Sequence, residues 1–204
     1  MTWNVETYAT QMRLKSWKTS GGEGGGVLGN LGSHTFYYLE YFCGPIESIS
    51  ARLHGLPNAD ADNQSTVSMA LDFQSGAAGS VAISQASYLG SGHRIEFYGE
   101  DGTLALRNPS SDYMRGFELW HARRPAKALE RINVDDPDGD RHADGRIAPV
   151  ARLVKRFLDA IEGGTPAKPG IDEACRMQHL IGVAQQSHAA GAKSVAVPDE
   201  AYES

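Results

Sequence analysis

The 204-residue chain has 41% hydrophobic and 22% charged residues, with 23 Gly and 9 Pro, the make-up of a globular protein that is neither disordered nor fibrous. Its formal net charge of -6 at pH 7 opposes a nucleic-acid role, which needs clustered cations. No apolar run approaches the ~18 residues of a spanning helix, and Met1-Thr2-Trp3-Asn4 lacks the basic-then-apolar start of a signal peptide. One domain over residues 1–204 and a cytoplasmic location are therefore expected, with no membrane or nucleic-acid partner. Cys43 and Cys175 form no Cys-x-x-Cys pair and read as buried small hydrophobes. The basic cluster Arg123, Arg124, Lys127 and Arg131 reads as solvated surface.

In chain order, Thr2 to Leu14 is rich in Thr, Val, Tyr and Trp and predicts an opening strand, followed by a loop through Gly21 to Gly26. Val27 to Phe42 predicts a helix with Leu28, Leu31, Leu39 and Phe42 on its apolar face, stopped by Gly44-Pro45. Short alternating segments follow: Ile46 to Leu53, Thr66 to Phe73, Gly79 to Ser84, Arg94 to Tyr98, Thr103 to Leu106 and Phe117 to His121. They predict an antiparallel meander, with turns at Gln74-Ser75-Gly76 and Glu100-Asp101-Gly102. Asp135 to Asp144 predicts a polar loop. Ile147, Val150, Val154, Phe157, Leu158 and Ile161 predict a helix ended by Gly163-Gly164; Asp172 is expected to cap a second, which runs to about Ala190. Ser194 to Val197 predicts a last strand. Consecutive strands with helices at both ends indicate an α+β fold: a mainly antiparallel open sheet with helices packed on one face. Ser68, Ala70, Ala82, Ser84 and Ala86 leave the other face poor in charge, which suits stacking of two copies about a twofold axis.

Two motifs invite stronger readings. Gly24 to Gly29 satisfies Gly-x-Gly-x-x-Gly, but Lys15 to Glu23 does not read as the buried strand that a dinucleotide loop requires. No cofactor-binding residue is assigned there. Asp136-Pro137-Asp138-Gly139-Asp140 starts like a calcium loop, yet the sixth position is Arg141 and the twelfth Ile147, so it reads as a solvated acidic turn. The histidines other than His34 form no close ligand pair, and no metal site is assigned.

At 100° per residue, Asn30, His34, Tyr37 and Tyr41 share a second face of the predicted helix. An amide, an imidazole and two phenols in one strip suit a semi-buried cleft for a hydroxylated ligand, whereas a plain packing role is the competing explanation. Asn30 is four residues before His34, so its amide is in reach to orient the imidazole, which is then the candidate proton acceptor. Arg13, Lys15 and Trp17 alternate just before the motif and are candidates for sugar contact, against the alternative of a charged sheet edge.

Gly24-Gly25-Gly26-Val27-Leu28-Gly29-Asn30-Leu31-Gly32-Ser33-His34 resembles the Gly-Gly-Gly-x-Leu-x-Asp-x-Gly-x-His signature of the Gfo/Idh/MocA oxidoreductases. Ile95 to Leu104 resembles the family's hairpin, and the last helix with Gly191 to Val197 its closing helix and strand. The resemblance covers nearly the whole chain, but only the C-terminal, substrate-facing and oligomerisation domain of a two-domain architecture. It implies NAD or NADP held mainly by a Rossmann half outside these residues, a carbohydrate or polyol substrate, and a homo-oligomer. It places His34 at the catalytic histidine, and Asn30 and Tyr37 where aspartates often stand. A neutral amide orients an imidazole without adding charge. Three functions follow as expectations: the substrate half of a sugar dehydrogenase, inactive without its Rossmann half; a catalytically silent ligand-binding or regulatory module; or a fragment able only to self-associate.

Overall fold

A computed structural model describes residues 1–22, 24–56, 63–110, 114–136, 138–139 and 141–198. The described elements are β1 (Thr2–Asn4), α1 (Tyr8–Gln11), a π-helical turn (Leu28–Gly32) running directly into α2 (Ser33–Cys43), β2 (Ile46–His54), β3 (Thr66–Phe73), β4 (Ala78–Ser84), β5 (Gly92–Tyr98), β6 (Gly102–Asn108), β7 (Glu118–Arg123), β8 (Glu130–Ile132), α3 (Ile147–Gly163), α4 (Ile171–Ala189) and β9 (Val195–Ala196). They fall into two compact units, Met1–Gly90 with the described residues from Ala174 onward, and Ser91–Glu173.

In the first unit the strand order is β1-β4-β3-β2-β9, antiparallel except for β1 beside β4. Strict alternation in β3 places Val67, Met69, Leu71 and Phe73 on the inner face, joined by Ile49, Ala51 and Leu53 of β2 and by Val81 and Ile83 of β4. Leu31, Phe36 and Leu39 from the helix start and α2, with Met177, Leu180, Ile181 and Ala184 of α4, complete one core against that face. The sheet edge is closed by side chains as well as by β9. Ser187 Oγ accepts the Ala51 N–H at 2.8 Å, and His188 Nδ1 accepts that of Leu53 at 3.3 Å. Arg176 of α4 grips Glu40 of α2 at 2.8 Å, and the same Glu40 oxygen accepts the Ile46 N–H at 2.9 Å, so one carboxylate ties two helices to the start of β2.

The second unit orders its strands β8-β7-β6-β5, all antiparallel. One face carries an ionic ladder: Arg94 and Arg107 flank Glu96 at 2.5 and 3.7 Å, and Arg131 lies 3.4 Å from Glu118. Asp136 and Asp138 are met by Arg152 and Arg141, so the acidic turn is neutralised by arginines; its Pro137 and Asp140 lie outside the described residues.

Several expectations are corrected. The opening strand spans only Thr2–Asn4, because the chain turns into α1, and Arg13 adopts a φ of 51° after it. Phe42 is exposed and Phe36 takes its place in the core, because the π turn offsets the helix from a uniform 100° step. Cys43 and Cys175 are only partly buried. Asp172 sits inside the first turn of α4; Glu173 instead reaches back to the Gly170 N–H at 2.7 Å, half of a capping box. β8 was not foreseen. The apolar stripe of α3 lies open, with Val150, Val154, Phe157, Leu158 and Ile161 at 50–64% exposure. An amphipathic pattern specifies a helix, not what covers it.

Replacing Arg176 by Met should lower stability by about 2–3 kcal/mol, since it removes charge-assisted bonds to a carboxylate largely shielded from water. Urea unfolding measures this; a loss under ~0.5 kcal/mol would show the pair to be dispensable.

Candidate functional site

The glycine-rich segment is shaped by close backbone approach. A Cβ on Gly25 would lie 1.7 Å from the Trp17 carbonyl oxygen, and one on Gly29 would lie 2.4 Å from that of Gly24. The Gly26 N–H donates to the Trp17 carbonyl at 3.0 Å, and the Val27 N–H to the Gln64 carbonyl at 2.8 Å. These glycines are turned against the chain's own backbone, and α1 with a loop, rather than a strand, precedes them. The segment does not fit a dinucleotide pyrophosphate cradle, which needs a strand before it and backbone N–H groups turned to the phosphates.

From this turn the chain enters the π turn, closed by the Ser33 N–H donating to the Leu28 carbonyl. Such turns concentrate at functional positions. Asn30 lies within it, half-buried, and its Nδ2 donates to Gln85 Oε1 at 3.1 Å. The amide is thus engaged with Gln85 and not with His34 as the helical spacing suggested; the wider turn breaks the uniform step on which that pairing rested. His34, second residue of α2, is exposed. Tyr37 is half-buried and packs on the core, while Tyr41 is 76% exposed and meets Phe42 edge-on at 5.1 Å between ring centroids. The four residues therefore do not line one semi-buried strip in this chain. Neighbouring Tyr38 is largely buried, and desolvation raises its phenol pKa far above the usual value while its hydroxyl donates to Thr35 Oγ1 at 3.2 Å.

Arg13, Lys15 and Trp17 lie in the turn and loop after α1, all exposed, so strand alternation does not align them. Trp17 is fixed through its carbonyl to the glycine turn, with Lys18 Nζ 5.7 Å from its ring centroid. Elsewhere, burial holds the His93 imidazole down at about 4, so it stays neutral at ordinary pH in its place against Phe117. Among the described residues, no three His, Cys, Asp or Glu side chains gather as a metal site.

Gln85 was not singled out from the sequence. It follows β4, is wholly buried, and contacts three separate segments: its Nε2 donates to the carbonyls of Lys18 at 2.7 Å and Gln64 at 3.3 Å, and its Oε1 accepts from Asn30. A glutamine at the end of a strand most often reads as a solvated polar residue, and nothing in the one-dimensional pattern separates this one from that.

The family described as "Oxidoreductase family, C-terminal alpha/beta domain" matches residues 1–197. An uncharacterised oxidoreductase of Synechocystis is 31% identical over 97% of this chain and 56% of its own length. Levoglucosan dehydrogenase in complex with NADH and levoglucosan superposes with a TM-score of 0.80 at 20% identity, over 98% of this chain and 58% of that one. An NAD-binding oxidoreductase from Klebsiella pneumoniae gives 0.73 at 20% identity, with the same coverage. The mainly antiparallel α+β architecture is thus that of the C-terminal domain in these proteins, and the chain spans little more than half of their length.

Gly25→Ala should cost about 3 kcal/mol or more, the upper end of overpacking, because the added methyl meets a backbone carbonyl that cannot step aside. Gly24→Ala, where φ is 71° and nothing lies within 4 Å of the added carbon, should cost only about 1–2 kcal/mol of left-handed strain. Equal losses in denaturant unfolding would show that close approach is not what the glycines serve.

Proposed function

The chain belongs to the Gfo/Idh/MocA oxidoreductase family, as its C-terminal alpha/beta domain, and from this we propose that it is the substrate-binding half of an NAD(P)-dependent dehydrogenase acting on a sugar or polyol hydroxyl. The observation that carries the reading is His34: an exposed imidazole in the first turn of α2, directly after a glycine turn and an Asn30 whose amide is locked in place. A nicotinamide, held mainly outside the residues of this chain, would supply the hydride chemistry at the substrate carbon. The share of this chain is to bind the sugar and to hold the hydroxyl proton on the His34 imidazole. Trp17 offers an exposed ring for a sugar face, with Arg13 and Lys15 on the same loop as hydroxyl donors, and Tyr37 a phenol three residues after His34. A small carbohydrate is favoured because a neighbour of the same fold is described in complexes with levoglucosan and with L-sorbose. No described helix is long and apolar enough to cross a membrane, and a cytoplasmic enzyme with no catalytic activity in this half alone belongs to the same reading.

In the polypeptide that joins this chain to a dinucleotide-binding half, His34→Ala should lower kcat by roughly 10²- to 10⁴-fold with little change in KM. Steady-state assays with NAD and NADP over a panel of pyranoses and polyols read this out. Near-normal turnover would remove His34 from the chemistry and leave a catalytically silent sugar-binding module.

Self-association through the outer face of the first unit is part of the proposal. Ser50, Ala70 and Ser80 lie side by side across β2, β3 and β4, flanked by Ser68 and Ala82, with Arg52 and Asp72 charged at neighbouring outer positions and Glu47 exposed at the register shift near the start of β2. Ser84, expected on this face, is instead buried, its hydroxyl shared by Thr66 and the Ala86 N–H. Small side chains let two such faces approach closely. Light scattering should find a dimer at tens of micromolar, and Ala70→Glu should return it to monomer by setting like charges face to face. A wild-type monomer throughout that range would refute the interface.

A further inference from the structure

Gln85 is wholly buried between three segments that the chain brings together, and every polar group it has is engaged. Its N–H donates to the Ser65 carbonyl at 3.0 Å, and its carbonyl accepts from the Thr7 N–H at 3.0 Å. Its side-chain NH2 faces two backbone carbonyls, of Lys18 and Gln64, which only accept. The orientation of the amide follows from that. Turned over, Gln85 would set its own oxygen against both carbonyls; that of Gln64 would keep the Val27 N–H, but that of Lys18 would lose its donor at 2.7 Å, so Nε2 stays where it is and Oε1 is what Asn30 meets. Asn30 can answer an oxygen only with its NH2, as the 3.1 Å contact shows. Its Oδ1 is then directed away from Gln85, on a half-buried residue in the turn that leads to His34.

We propose that Gln85 is a positioning residue for the His34 site: it fixes Asn30 so that the amide presents an oxygen, an acceptor for a ligand hydroxyl, and it makes a neutral amide, not a carboxylate, the matched side chain at position 30. The use of that oxygen for a sugar hydroxyl rests on the proposed function. The matching of Gln85 to Asn30 does not, and it is tested on the 204-residue chain alone, without cofactor or sugar.

The carboxyl introduced by Asn30→Asp would face Gln85 Oε1 with no proton to give unless it stays protonated. Its pKa should therefore rise by about one unit or more above the ordinary 3.9, the direction set by losing a hydrogen-bond donor when ionised. A raised acid stabilises the fold below its ordinary pKa, and that contribution disappears as pH climbs through the raised value. The melting temperature of the variant should accordingly fall relative to wild type as pH increases from about 4 to 7. Carbon-detected NMR titration of the labelled carboxyl reads the shift directly, and Asn30→Asp combined with Gln85→Met should bring it back toward the ordinary range. A normal or lowered pKa in the single variant, or an unchanged shift in the double one, would overturn the proposal, whatever the enzyme assays show. Folding of the single variant only in acid would support it. Should the single variant not fold at any pH, the wild-type chain decides: the Asn30 side-chain NH2 should exchange with solvent at least ~10-fold more slowly than in Gln85→Met, and exchange at the solvent rate in wild type would overturn the assignment.

Discussion

The approach of the Trp17 carbonyl to Gly25 is the contact on which the start of α2 depends. At 1.7 Å from where a Cβ would stand, that oxygen leaves room for hydrogen alone, and the Gly26 N–H completes the contact. With the loop held there, the Lys18 carbonyl comes within reach of Gln85, and Gln64 closes on Val27 from the other side. The glycine run that resembles a phosphate loop on paper is therefore filled by the protein itself. Its consequence is that the first residues of the helix are held by main-chain contacts of the protein's own, the kind of support that a site on this helix would need.

The end of the sheet ladder in the first unit shows the same economy. Where β9 stops pairing with β2, Ser187 and His188 take over the strand's N–H groups, so the helix that supplies apolar cover also supplies edge acceptors. Glu40 both receives Arg176 and caps the entry to β2. Buried donors without partners are costly, and these side chains remove that cost at the places where the sheet's own ladder ends.

Much of this was legible in the sequence, and the reason lies in periodicity. Val67, Met69, Leu71 and Phe73 alternate so regularly that β3 is bounded by the same residues in sequence and structure, and the turn at Gln74-Ser75-Gly76 follows from its composition. The site was less legible because it departs from period. A π turn cannot be seen in a 3.6-residue pattern, so Phe42 was assigned to the core in place of Phe36, and Asn30 was matched to His34. Trp17, Gly25, Gln64 and Gln85 converge from positions up to 68 residues apart, and no local pattern carries information about such a meeting. The three-residue β8 lies among basic residues and turn formers that mask its strand character.

The amide at position 30 is better understood from its neighbours than from the signature it departs from. A carboxylate there would need donors around it, whereas the chain surrounds that side of Asn30 with the oxygen of a glutamine whose own donors are committed to two carbonyls. Asparagine is thus the residue that the packed environment calls for, and its presence alone does not signal a decayed site. Were Asn30 and His34 to share a ligand, the neutral amide would accept from a hydroxyl without stabilising the protonated ring, as a carboxylate would.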